Sequence, residues 1–290
     1  MKTMRWRLAT TAMAILALTF VSFAPAQAQG HANSSARTPR LHASYYLSLG
    51  DSLAYGYQPN LVAEGDTNPA DYRSYAEHYA ALHPRLRLVN YGCPGETSTT
   101  MVTGGCPWPA QYLHDGYGGA GSQLAAAQAF LARHGAQVKL VTIDIGSNDL
   151  LALVKGCQTG SPDAVEACVL AGLPKTLATL SANYATILAA VTSAAPHADV
   201  VIFNLYNPLA LTLPQSDQLV RAVNKGLATV ATGAHVQVAD SFDVINLGAG
   251  TPLEKLAVCG LTWECSSYAN VHPNTLGYWA LAIALDRAVR

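Results

Sequence analysis

Five short apolar runs alternate along the chain with longer stretches of helical periodicity, and no other feature restricts the fold as much. The runs lie at 45–49, 86–91, 138–145, 200–205 and 236–239. The helix-like stretches lie at 72–82, 122–134, 175–194 and 215–231, and a last helix is expected over 274–289. A strand–helix–strand succession of this kind makes neighbouring strands parallel and covers both faces of the sheet with helices. The expectation is an α/β chain with a central parallel sheet of about five strands in three layers. No linker, repeat or charge block interrupts residues 44–290, which are read as one domain.

Of the 290 residues half are hydrophobic and 12% charged, with 17 Lys+Arg against 18 Asp+Glu. A disordered chain has the reverse balance, low hydrophobicity with high charge. A nucleic-acid binder needs an excess of positive charge to neutralise phosphates, and none exists here. Residues 1–28 have the form of a secretory signal peptide: Lys2, Arg5 and Arg7, an uncharged stretch from Leu8 to Phe23, then Ala26-Gln27-Ala28 as a cleavage site. The uncharged stretch falls short of the ~20 residues that span a bilayer. Residues 29–43 are polar and aperiodic and are read as a flexible tail.

The cysteines are Cys93, Cys106, Cys157, Cys168, Cys259 and Cys265. Sequence alone leaves their connectivity open, yet they fall into three close pairs far from one another. In an oxidising compartment the simplest reading is three local bridges, Cys93–Cys106, Cys157–Cys168 and Cys259–Cys265. Free core thiols and a zinc site are the rivals; no Cys-x-x-Cys occurs, and only His114 lies in a loop near a pair.

Ligands of open parallel sheets bind beyond the carboxyl ends of the strands, so the residues that follow each run matter most. After the first come Gly50-Asp51-Ser52-Leu53, and after the second Asn90 to Glu96 with Gly95. After the third come Gly146-Ser147-Asn148-Asp149, and His272-Pro273 precedes the last helix with Gly277 in it. These blocks, G-D-S-L, N-x-x-x-x-G-E-T, G-x-N-D and H-P-x-x-x-G in that order, resemble the SGNH hydrolases, also called the GDSL lipase/esterase family. The resemblance covers essentially all of 45–290 and is greatest to the exported bacterial branch with three local disulfides. It implies a flavodoxin-like three-layer α/β/α sandwich and a serine hydrolase that needs no cofactor or metal.

Residue by residue, the resemblance makes Ser52 the nucleophile and His272 its base, since a serine hydroxyl needs a neighbouring group to take its proton. It makes the backbone N–H groups of Ser52 and Gly95 and the side-chain amide of Asn148 an oxyanion hole. Asp149 is expected to cap the segment that follows it, and Asp144 to be a hydrogen-bonded core residue. The chain departs from the family where an aspartate usually stands three or two residues before the histidine: those positions are Ala269 and Asn270. The imidazole is then oriented by the backbone carbonyl of Ala269, by Asn270, or by a carboxylate from elsewhere such as Asp240 or Asp243. Failing all of these, it has no orienter and activity is weak or absent.

Glycines and aromatics in 92–121, with Tyr55, Tyr57, Leu150 and Leu151, suggest an apolar rim for an acyl chain, or else aromatics packed under a long loop. The function expected is a secreted, monomeric carboxylic-ester hydrolase. Its substrate would be a small-molecule or lipid ester, with no nucleic-acid partner and no stable membrane insertion after leader cleavage. A carbohydrate O-acetyl esterase and a non-catalytic glycan- or lipid-binding relative are the alternatives.

Overall fold

In the computed structural model residues 43–212 and 216–289 are described, so the expected leader and all but the last residue of the expected tail lie outside them. The five apolar runs form five strands: β1 (Ser44–Gly50), β2 (Leu86–Asn90), β3 (Val138–Asp144), β4 (Asp199–Phe203) and β5 (Gln237–Ala239). All pair in parallel, in the order β2-β1-β3-β4-β5, which is the flavodoxin-like order. Ser48 faces Asn90 across one edge of β1, and Gly50 faces Asp144 across the other. The loops after β1, β2 and β3 therefore leave the sheet side by side.

The runs are almost continuously apolar because both faces of the sheet are covered. The helices in chain order are α1 (Ser52–Tyr55), α2 (Pro59–Ala63), α3 (Tyr75–Leu82), α4 (Ser98–Thr103), α5 (Gln123–His134) and α6 (Ser147–Gly156). They continue with α7 (Pro162–Ala194), α8 (Ser216–Ala234), α9 (Ser241–Ile245), α10 (Pro252–Leu261) and α11 (Thr275–Ala288). Alternate strand residues serve opposite layers. Leu47, Leu49, Val141, Ile143 and Ile202 pack against α5, α7 and α8, while Tyr46, Leu140, Val201 and Phe203 pack against α3, α9 and α11. Between α10 and α11 lies a short antiparallel hairpin, β6 (Thr262–Trp263) and β7 (Asn270–Pro273).

The periodic stretch expected from 175 belongs to a helix that begins at Pro162 and runs through Pro174. Proline in a helix interior removes one backbone hydrogen bond and crowds the preceding turn, which is why the pattern stops there in sequence. The amino-terminal turns are held from outside instead: Ser161 caps the N–H of Ala164, and Cys157–Cys168 ties them to α6. Among the described residues, 163–194 is the one helix long and apolar enough to cross a membrane. Its Leu180, Tyr184, Ile187, Leu188 and Val191 are buried in the layer against the sheet. All six cysteines are paired as the local reading expected, Cys93–Cys106, Cys157–Cys168 and Cys259–Cys265.

Candidate active site

β1 turns sharply at its carboxyl end, and glycine is required there. Gly50 has φ +146°, and a Cβ would stand 2.2 Å from the carbonyl oxygen of Asp144. The next residue caps α1: Asp51 Oδ1 accepts the N–H of Leu53 at 2.9 Å, while its own N–H donates to the Asp144 carbonyl at 3.0 Å. Ser52 is thereby the first residue of α1, with 8% of its surface exposed. Among the described residues its N–H has no acceptor.

The hairpin brings the histidine to this turn. Cys259–Cys265 closes the end of α10 onto the loop after β6, and the Tyr206 hydroxyl donates to the Val271 carbonyl at 2.6 Å. Asn274 caps α11 through the N–H of Gly277 and reaches back to the carbonyl of Gly260. His272 Nε2 stands 2.7 Å from Ser52 Oγ. Its Nδ1 stands 2.6 Å from Asn270 Oδ1, and the same Oδ1 accepts the backbone N–H of His272 at 3.1 Å.

This last bond decides the tautomer. A backbone N–H can only donate, so the amide atom facing it is the oxygen, and an oxygen facing Nδ1 requires the proton there. Nε2 is then left with a lone pair aimed at the serine hydroxyl. The ring is packed on Tyr57, centroids 4.4 Å apart, and desolvation lowers its pKa to about 4.

The acceptor at Nδ1 is thus the Asn270 side chain and not the Ala269 carbonyl. Ala269 has φ +41°, and this left-handed turn sets Asn270 two residues before the ring in an Asx-type arrangement. Asp240 is engaged elsewhere, capping α9 through the N–H of Asp243 and accepting from Asn204 Nδ2; Asp243 is exposed. Neither carboxylate contacts the imidazole.

Of the other expected oxyanion donors, Gly95 lies on the loop after β2 and Asn148 in the first turn of α6. Gly95 has φ +83° and is exposed, and its N–H has no acceptor among the described residues. Asn148 Nδ2 donates to the Glu96 carbonyl at 2.9 Å and lies 3.3 Å from Asp51 Oδ2. Asp149 does not cap its own helix: its carboxylate takes the N–H and the hydroxyl of Ser98 at 2.8 and 2.6 Å, tying α6 to the start of α4. Asp144 is buried as expected, but its carboxylate has no hydrogen-bond partner, and burial raises its pKa well above the usual carboxylate range. Burial raises Asp51 as well.

Of the two readings left open for the aromatics, packing beneath the long loop is the one the structure bears out. Met101 and Tyr55 are fully buried, Tyr117 packs on the core, and Trp108 leans on Tyr55 and Tyr57. The groove that opens from Ser52, Asn148 and His272 is walled instead by Leu150, Leu151 and Val154 of α6, Leu205 after β4, and Leu219 and Val220 of α8. The first two were expected. The last three read in sequence as ordinary strand-end and helix-core residues.

The sequence model of the GDSL-like lipase/acylhydrolase family matches residues 48–280. No curated protein matches the chain. Among solved structures, the lipase Lip_vut3 from a goat rumen metagenome is similar at 17% identity and TM-score 0.55, covering 84% of this chain and 97% of that one. An extracellular lipase from Streptomyces rimosus is similar at 20% identity and TM-score 0.54, covering 85% and 100%. Axe2, an acetylxylan esterase from Geobacillus stearothermophilus, is similar at 16% identity and TM-score 0.53, covering 85% and 94%.

Proposed function

Because the chain belongs to the GDSL-like lipase/acylhydrolase family, we propose that it is an exported, monomeric serine esterase acting on esters with an apolar acyl chain. The reading rests on one observation above all, the unbroken chain from Ser52 Oγ through His272 to Asn270 Oδ1. In it Ser52 Oγ attacks the ester carbonyl while His272 Nε2 takes its proton. The imidazolium that forms keeps its Nδ1 proton on Asn270. The oxygen that becomes negative meets the N–H groups of Ser52 and Gly95 and the amide of Asn148, whose longer bond to Asp51 is the one it displaces. Collapse breaks the ester C–O bond, and His272 returns the proton to the departing alkoxide. Water then repeats the sequence on the acyl-serine. Every step uses groups of this chain.

Two features support export and the apolar acyl chain. The three disulfides suit an oxidising compartment. The leucine and valine walls suit an acyl chain better than a sugar, which would leave its hydroxyls without partners. An O-acetyl esterase, the activity named for one structural neighbour, would need a polar surface beside the serine.

The p-nitrophenyl acetate, butyrate and octanoate series separates these readings. Each buried CH₂ is worth up to about 0.8 kcal/mol, so kcat/KM should rise from acetate to octanoate. Val154→Trp, which fills the groove, should lower octanoate turnover by ~10-fold or more and acetate turnover by no more than ~3-fold. Preference for acetate, with equal effects of Val154→Trp on both esters, would refute the acyl-chain reading.

A further inference from the structure

The proposed chemistry does not use Glu96 or Gln123, yet both are completely buried behind the nucleophile. Gln123, the first residue of α5, takes hold of both backbone groups of Gly50. Its Oε1 accepts the Gly50 N–H at 2.7 Å, and its Nε2 donates to the Gly50 carbonyl at 2.9 Å. Gly50 is the residue that hands β1 over to the Ser52 turn. The same Nε2 donates to Glu96 Oε2, which also accepts the Tyr117 hydroxyl at 3.3 Å. The backbone carbonyl of Glu96 in turn holds Asn148 Nδ2. One glutamine–glutamate contact thus joins the turn of the serine to the turn that carries Gly95 and retains Asn148.

We propose that Glu96 and Gln123 act as positioning residues, a neutral acid–amide pair that sets the spacing between the nucleophile turn and the oxyanion donors. The proposal rests on the hydrolase reading above. Among the described residues no cation faces the Glu96 carboxyl: its neighbours are Gln123, Tyr117, the Cys93–Cys106 disulfide and, among charged groups, Asp51. Its Oε1 has no partner. Burial pushes its pKa up to about 8, and Asp51 adds to the rise while the Tyr117 and Gln123 bonds oppose it. Ionisation would place a negative charge beside donors meant for a developing oxyanion and weaken catalysis.

The pair gives two separate readouts. The first is kcat and KM on a soluble ester from about pH 5 to about 10 for wild type, Glu96→Gln, Glu96→Ala and Gln123→Leu. Wild-type kcat should fall above pH of about 8, and Glu96→Gln, which keeps the neutral pair, should abolish that fall. Glu96→Ala and Gln123→Leu should lose ~30–100-fold in kcat with KM moved less than ~3-fold, since they displace donors without touching the groove.

The second readout is melting temperature against pH. The native carboxyl keeps its proton between the ordinary glutamate value of 4.5 and about 8, where the unfolded chain has lost it. Wild-type stability should therefore decline across that interval, and the decline should be smaller in Glu96→Gln. An alkaline fall that persists in Glu96→Gln, identical melting profiles for the two proteins, or unchanged kcat in Glu96→Ala and Gln123→Leu overturns the proposal. Absence of ester hydrolysis in every protein, wild type included, refutes the hydrolase reading instead, and the melting profiles still decide whether Glu96 is a neutral acid.

Discussion

Replacing Ser52 with alanine is expected to lower kcat/KM on a soluble ester by about 10⁵–10⁶-fold, with His272→Ala close behind. The size follows from how the two groups act. In the proposed mechanism the hydroxyl bonds to the acyl carbon, and the imidazole 2.7 Å away takes its proton. Removing either leaves only binding and the oxyanion donors, which retain ~10³–10⁴ over water. Because the pair acts as a unit, the double variant should be scarcely worse than either single one. The losses are chemical and not structural. Ser52 Oγ is bonded to the imidazole alone among the described side chains, and its removal creates no large cavity. A change in Tm within about 2–4 °C would show that the fold is intact. Comparable rates for wild type and Ser52→Ala would remove the nucleophile assignment.

Asn270→Ala is expected to lower kcat by ~10³–10⁴-fold, because the amide oxygen is what keeps the proton on Nδ1 and the lone pair on Nε2. Without it the ring can turn or hold the other tautomer, and Ser52 then faces a donor. Asn270→Asp separates orientation from charge. A carboxylate keeps the acceptor and adds a negative charge next to the imidazole, which favours the protonated ring and raises its pKa from about 4. The base must be neutral to act, so the acid limb of kcat/KM, expected near pH of about 4 in wild type, should move to higher pH in this variant. At pH of about 7 the Asp variant should be at least as active as wild type, because its charge stabilises the imidazolium. Asn270→Ala within about threefold of wild type, or an acid limb that stays in place in Asn270→Asp, would make another group the orienter.

Much of the architecture was legible because it depends on local periodicity. The five apolar runs became the five strands, and the helices at 122–134 and 274–289 fell close to their expected bounds. Strand order does not follow from periodicity; the family resemblance implied a flavodoxin-like order, and β2-β1-β3-β4-β5 agrees with it. The amino-terminal half of α7 was hidden by Pro174, an interruption that capping and a disulfide offset.

The residues that the structure gathers around Ser52 were legible as four motif blocks, but their partners were not. Whether Asn270 turns oxygen or nitrogen toward the ring cannot be read from its identity; the backbone N–H of His272 decides it. Asp149 looked like a cap on its own helix, and only the meeting of α4 and α6 gives it Ser98. The groove walls at Leu205, Leu219 and Val220 carry no local signal, because a leucine beside a cavity and one in a core are the same residue in sequence. Gln123 sits at an ordinary polar position, and Glu96, although within the N-x-x-x-x-G-E-T block, has no role readable there; their meaning comes from contacts far apart along the chain.

The most direct test of a hydroxyl activated by a neutral imidazole is covalent labelling with a fluorophosphonate, followed by intact mass and peptide mapping. The account predicts one adduct on Ser52 in wild type, none in Ser52→Ala, and much slower labelling in His272→Ala. A wild-type protein that stays unlabelled, or an adduct that forms equally in Ser52→Ala, would contradict it.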